Sequence, residues 1–154
     1  MKKHLVTAAL GGGVGGLLDI TYAIVLWGVI LKVGSVTVLQ SVAAGWLGKS
    51  SYEGGLATAA LGLATHFFIA YCMALVYVFA ATKLPLLVHR WLLMGVIYGC
   101  ILFFAMNFIV VPYLSAIGPR PSTPMGLFRA LIPHVVFVGP VIAWFTARRA
   151  RVVL

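Results

Sequence analysis

The run HLVTAALGGGVGGLLDITYAIVLWGVIL, residues 4–31, is interrupted by one charge, Asp19. It is longer than the ~20 apolar residues that carry a helix across a bilayer. Three more uncharged windows follow, 54–82, 91–119 and 130–147. Helix punctuation marks their ends. Ser50-Ser51-Tyr52-Glu53 has the spacing of a capping box before the second helix, and Pro85 can open the third. Pro112 closes that helix, and Thr123-Pro124 places a cap and a first-turn proline before the fourth. The reading is an all-α, four-transmembrane-helix bundle. It forms a single integral membrane domain over residues 1–154, with spans at roughly 5–31, 55–81, 91–111 and 127–147.

Composition agrees with this reading. The 154 residues are 63% hydrophobic and 8% charged, against about 25% charged in a soluble domain; mean hydropathy is +1.13. In such a chain a net charge of +9 sorts the loops between membrane faces and does not imply a nucleic-acid partner. The only two acids, Asp19 and Glu53, leave no carboxylate pair for hydrolytic chemistry, so the chain reads as a non-enzyme. Cys72 and Cys100 fall in apolar runs and read as small buried hydrophobes. Met1-Lys2-Lys3 ahead of an apolar stretch imitates a signal peptide, but the stretch continues to Leu31 and has no small-x-small cleavage site. It reads as an uncleaved first helix.

Lys2, Lys3, Lys83, Arg90, Arg148, Arg149 and Arg151 fall on the face carrying both termini. Lys32, Lys49, Arg120 and Arg129 fall on the other, so seven cations oppose four. The positive-inside rule then places both termini in the cytoplasm. Between the first two spans, Leu39, Val42, Ala43, Trp46 and Leu47 recur at helical spacing in a segment too short to cross, which predicts an interfacial or re-entrant helix. Tyr22, Trp27, Trp46, Trp91, Tyr113 and Trp144 lie near span ends and read as interfacial anchors.

Inside the spans, an ionised Asp19 would cost ~2.5–3.5 kcal/mol at mid-membrane and so has to be neutral, paired or hydrated. Gly11, Gly12, Gly15 and Gly16 precede it at close-packing spacing. On the second helix His66 shares a small-residue stripe with Gly62, which predicts a close approach of helices one and two and an Asp19–His66 hydrogen bond. Helix three carries the pair Gly95 and Gly99 and then Asn107, and helix four carries His134. Each half therefore presents a glycine pair, an acid or amide, and a histidine, a weak repeat of two hairpins. Pro133 and Pro140 interrupt the fourth window, and Gly139-Pro140 reads as a packing accommodation ahead of a hinge.

Asp19, His66, Asn107 and His134 admit three readings. They are structural glue at ~0.6 kcal/mol per bond, or a site for a proton, a small polar ligand or a divalent metal held by Asp19, His66 and His134. The third is a haem held by His66 and His134 across the bundle. A lipid or quinone headgroup contact lies outside these three. The first hypothesis is a small transport, sensing or ligand-binding module in the bilayer, with a homo-oligomer supported by the glycine-rich first helix. The runner-up is an accessory subunit of a larger membrane complex.

Asp19, Leu39-Gln40-Ser41-Val42-Ala43-Ala44-Gly45, Gly55 through His66, Met106-Asn107 and His134 together resemble bacterial inner-membrane proteins of the YagU-like type. The resemblance implies a four-helix inner-membrane protein with no assigned reaction.

Overall fold

The structure, a computed structural model, describes residues 1–119 and 121–151. Arg120, counted above among the cations of the second face, lies outside the described residues. The chain runs through α1 (Lys2–Leu31), α2 (Ser35–Leu47), a 3-10 segment (Gly48–Glu53) and α3 (Gly55–Ala81). It continues through α4 (Leu86–His89), α5 (Trp91–Tyr113) and α6 (Pro124–Ala150). Helices α1, α3, α5 and α6 are long and apolar enough to cross a membrane, and no strand occurs among the described residues. Leu17, Val25, Val76 and Ile101 are each more than half exposed. An apolar outer surface is what a bundle solvated by hydrocarbon presents.

The caps follow the sequence in one place and depart from it in another. Thr123 caps α6, its hydroxyl accepting from the Gly126 N–H at 3.0 Å. The predicted capping box does not form: Ser50 to Glu53 are taken up by the 3-10 segment, and α3 starts at Gly55 without a side-chain cap. The Ser51 hydroxyl is buried there with no hydrogen-bond partner.

Glycines set the helix contacts, on more faces than one stripe would give. Gly11 and Gly15 meet α6, where an added Cβ would lie 3.3 Å from the Ile142 Cα and 3.5 Å from the Val138 Cα. Gly12 and Gly16 meet α3, at 2.7 Å from the Ala70 carbonyl oxygen and 3.0 Å from the Ala70 Cβ. Two rows one residue apart are offset by about 100°, so α1 is wedged between two neighbours. Gly62 does not serve the α1–α3 contact expected of it: its missing Cβ makes room for the Leu39 carbonyl of α2. In the other half, Gly95 and Gly99 let α5 approach Pro140 and the His134 carbonyl, and Gly139 lies against the Gly95 carbonyl. This supports reading Gly139-Pro140 as a packing device.

Since Gly11 pairs with Ile142 and Gly15 with Val138, α1 and α6 are antiparallel and both termini lie at one end. That end is packed around Ala8, Ala74, Tyr77, Val78, Ile142 and Ala143. The Tyr77 hydroxyl donates to the Leu87 carbonyl at 3.0 Å, fastening the α3–α5 connection. The opposite end is capped by α2. There Gln40 donates to the Gly55 carbonyl at 3.0 Å and the Trp46 indole N–H donates to Thr65 Oγ1 at 2.9 Å. The Gly45 carbonyl accepts from the Ala116 N–H at 2.8 Å, tying α2 to the segment after α5.

Helices α5 and α6 each contain one widened π turn, over Met106–Val110 and His134–Val138. In both, the N–H just before a proline reaches back five residues, Val111 to Met106 and Gly139 to His134. Proline donates no hydrogen bond and its ring clashes with the carbonyl four residues earlier, which forces the turn open. Pro112 therefore widens helix three before it ends at Tyr113.

Candidate functional site

The half of the bundle away from the termini is hollow. A cavity of about 490 Å³ lies between the four long helices and under α2, and Asp19, His66, Asn107 and His134 all line it. Its size falls within the range of small-molecule sites. Four side chains far apart in sequence are brought together because glycines draw α3 and α6 onto α1, and α5 onto α6. In both hairpins the second glycine of the pair abuts the histidine, Gly16 at the His66 ring and Gly99 at the His134 backbone. The paired-hairpin pattern thus has a spatial counterpart.

The predicted Asp19–His66 hydrogen bond is replaced by a looser contact. His66 Nε2–H donates to the Gly16 carbonyl at 2.8 Å and stands 3.9 Å from the Asp19 carboxylate. On α6, Pro133 supplies no N–H to the Arg129 carbonyl four residues back. That carbonyl instead accepts from the Tyr22 hydroxyl of α1 at 3.2 Å. At the entry to the π turn the His134 backbone N–H bonds Leu131. The Ala130 carbonyl then accepts from His134 Nδ1–H at 2.8 Å. Asn107 donates to the Phe103 carbonyl at 3.0 Å. Pro133 thus frees the Arg129 carbonyl and the shortened bond of the His134 N–H frees that of Ala130, and polar side chains around the cavity bind both.

These bonds fix which atoms remain for a ligand. With His66 Nε2 and His134 Nδ1 donating, Nδ1 of His66 and Nε2 of His134 carry the free lone pairs of the neutral rings. Asn107 keeps its amide oxygen. None of these atoms is both fully buried and unbonded among the described residues, so each is satisfied or open to the cavity.

The sequence reading also offers Asp19, His66 and His134 as a metal set. Among the described residues no three His, Cys, Asp or Glu side chains are grouped so as to hold a metal ion. The two imidazoles are turned by their carbonyl bonds, His66 toward α1 and His134 along its own helix.

Three cavity residues escaped the sequence reading of the site. Arg129 was counted only as a loop-face cation, yet it lines the wall. Tyr22 and Trp46 were read as interfacial anchors, yet both line the cavity and both are hydrogen-bonded across helices. The available signal was Pro133, which marks the Arg129 carbonyl as needing a donor from another helix. Of the first-helix glycines, Gly11, Gly12, Gly15 and Gly16 are occupied by contacts within the chain, whereas Gly13 meets nothing within 4 Å.

The cavity is mostly apolar, with Met73, Met106, Val110 and Val138 among its walls. Helices α3 and α5 hardly approach one another along this half. Nearer the packed end Tyr98 bridges them, its hydroxyl donating to the Met73 carbonyl at 2.7 Å and its ring lying 5.0 Å from that of Tyr77. Phe68 of α3 lines the cavity and is 63% exposed, so the cavity reaches the surface at this residue, and the sparse contact between α3 and α5 leaves a lateral gap there. Such an arrangement can admit a molecule sideways from hydrocarbon and present it to a ring of hydrogen-bonding groups. No family model, curated protein or solved structure matches this chain.

Proposed function

We propose that the protein is a non-enzymatic, multi-pass protein of the bacterial inner membrane that binds a small ligand at an intramembrane polar site, as a transport, sensing or ligand-binding module. One observation carries the reading: Asp19, His66, Asn107 and His134, from four different helices, line one laterally open cavity. Tight packing at the terminus-bearing end against a cavity at the other fits a binding pocket better than a through-going path. Both termini are assigned to the cytoplasm, on the cation asymmetry. Any homo-oligomer would have to use a surface other than that of Gly11, Gly12, Gly15 and Gly16, which pack within the chain.

The test is mass spectrometry of the protein released intact from mild detergent, with a visible spectrum of the same sample. A stoichiometric small molecule is expected, and Asp19→Asn, His66→Ala and His134→Ala should each lose it while keeping wild-type helicity. Their losses should be non-additive, because the three groups act on one ligand. A Soret band would select haem binding instead. A bare protein whose variants behave like wild type would remove the ligand reading.

The accessory-subunit reading rests on a separate observation. His66, His134 and Asn107 each bond a backbone carbonyl, as structural glue would. Co-purification of a larger complex with Asp19→Asn as readily as with wild type would favour it.

A further inference from the structure

Arg129 is the one permanent cation on the cavity wall among the described residues. A guanidinium cannot discharge by losing its proton in a protein. Among the described residues no carboxylate lies within 4.0 Å of Arg129. Its backbone is held by the Tyr22 hydroxyl, which fixes the start of the side chain, while among the described residues no hydrogen bond holds the guanidinium. It is partly buried, five residues into a helix long enough to cross a membrane. A charge in that position calls for a counter-ion, and none lies within ion-pair distance among the described residues.

The surroundings specify what the counter-ion is attached to. Tyr22 is one turn past Asp19, so Arg129 sits ~4.5 Å nearer the α2 end than the Asp19 and His66 tier. Below and beside this polar pair of tiers the walls are apolar, and the opening at Phe68 leads between α3 and α5. Resting on the reading of this cavity as a ligand site, we infer that it takes an amphiphile whose head carries an anionic oxygen group, a phosphate or carboxylate. Arg129 grips that group through its planar fork. Other polar atoms of the head hydrogen-bond to Asp19, Asn107 and the free His134 nitrogen, and the hydrocarbon leaves past Phe68. A soluble phosphate or carboxylate would satisfy the same fork, so the source is decided by whether binding needs the chain.

Trp27 and Trp46 line the cavity and give an intrinsic fluorescence signal. The whole protein in neutral nanodiscs is titrated with dodecyl phosphate, dodecyltrimethylammonium and inorganic phosphate. Saturable quenching by dodecyl phosphate is expected, at least tenfold tighter than for the ammonium probe, and Arg129→Gln should weaken it at least tenfold. Arg129→Lys keeps the charge and loses the fork, so it should fall between the two; it also serves if Arg129→Gln fails to fold. Binding of inorganic phosphate with equal affinity and the same Arg129 dependence supports the anion site and assigns a soluble ligand. Equal affinity for the ammonium probe, or unchanged binding in both Arg129 variants, overturns the anionic head while leaving a ligand site in place. No binding of any probe overturns the inference, and the ligand reading then stands or falls on the molecule that co-purifies.

Discussion

Gly62, Gly99 and Gly13 look alike in the sequence and occupy three different situations. A methyl on Gly62 would collide with the Leu39 carbonyl and one on Gly99 with the His134 carbonyl, whereas Gly13 meets nothing within 4 Å. Backbone cannot swing aside as a flexible side chain can. Gly62→Ala and Gly99→Ala should therefore each lose ~1–3 kcal/mol or fail to fold. Gly13→Ala removes only the conformational freedom of a helical glycine and should gain ~0.5–1 kcal/mol. Thermal unfolding in one detergent separates them, and equal shifts at all three positions would mean that these crossings are not as close as described. The same scale explains why the polar residues were recognised but their bonds were not. Asp19, His66, Asn107 and His134 stand out because ionisable and amide groups are costly in hydrocarbon. The partners of His66, His134 and Asn107 are the main-chain carbonyls of Gly16, Ala130 and Phe103, which every residue carries and which no composition can flag.

Among the elements, α2 and the two π turns do most to shape the cavity. The π turns place Asn107 second and His134 first in a widened segment, each segment followed after one residue by a proline. An α-helical turn in place of a π turn shifts the following residues by about 100° around the axis. Pro140→Ala restores a donor for the Val136 carbonyl, so the turn can close to α geometry and rotate His134 relative to the Gly99 contact. The expected result is weaker ligand binding, by a factor comparable to His134→Ala, with helicity unchanged or slightly raised. Amide exchange should fall across 134–140 in the variant, and a protein binding as well as wild type would show that the π turn does not position the histidine. Helix α2 was legible as a short amphipathic segment, while its contact with Gly62 was not, because small residues on α3 fit any neighbour equally well.

For the whole molecule, both termini and the α3–α5 connection lie at the packed end and the α2 cap lies at the hollow end. The edge contact of His4 with Phe79, ring centroids 5.8 Å apart, marks the first of these ends. The positive-inside assignment turns this internal arrangement into an orientation. A cysteine at position 49, with Cys72 and Cys100 replaced by alanine, should react in intact cells with a membrane-impermeant thiol reagent, and one at position 149 should react only after the membrane is opened. The reverse pattern would invert the orientation and place the cavity nearer the cytoplasmic face. The bundle itself would be untouched, since its helix contacts do not depend on which way it is inserted.

The sequence by itself determined the class of the protein, the four spans and the short list of intramembrane polar residues. Those follow from the length of uncharged runs and from the cost of polar groups in hydrocarbon, both of which are local properties of the chain. Tertiary structure alone decided that the glycines of α1 face two partners, that Gly62 receives α2, and that Arg129 belongs to the cavity. In lipid, no burial of apolar surface from water distinguishes one helix face from another, so partner choice rests on fine packing and on which carbonyls are left without donors. Those depend on how the helices meet, as with the Arg129 carbonyl that Pro133 leaves open and the Tyr22 hydroxyl of another helix fills.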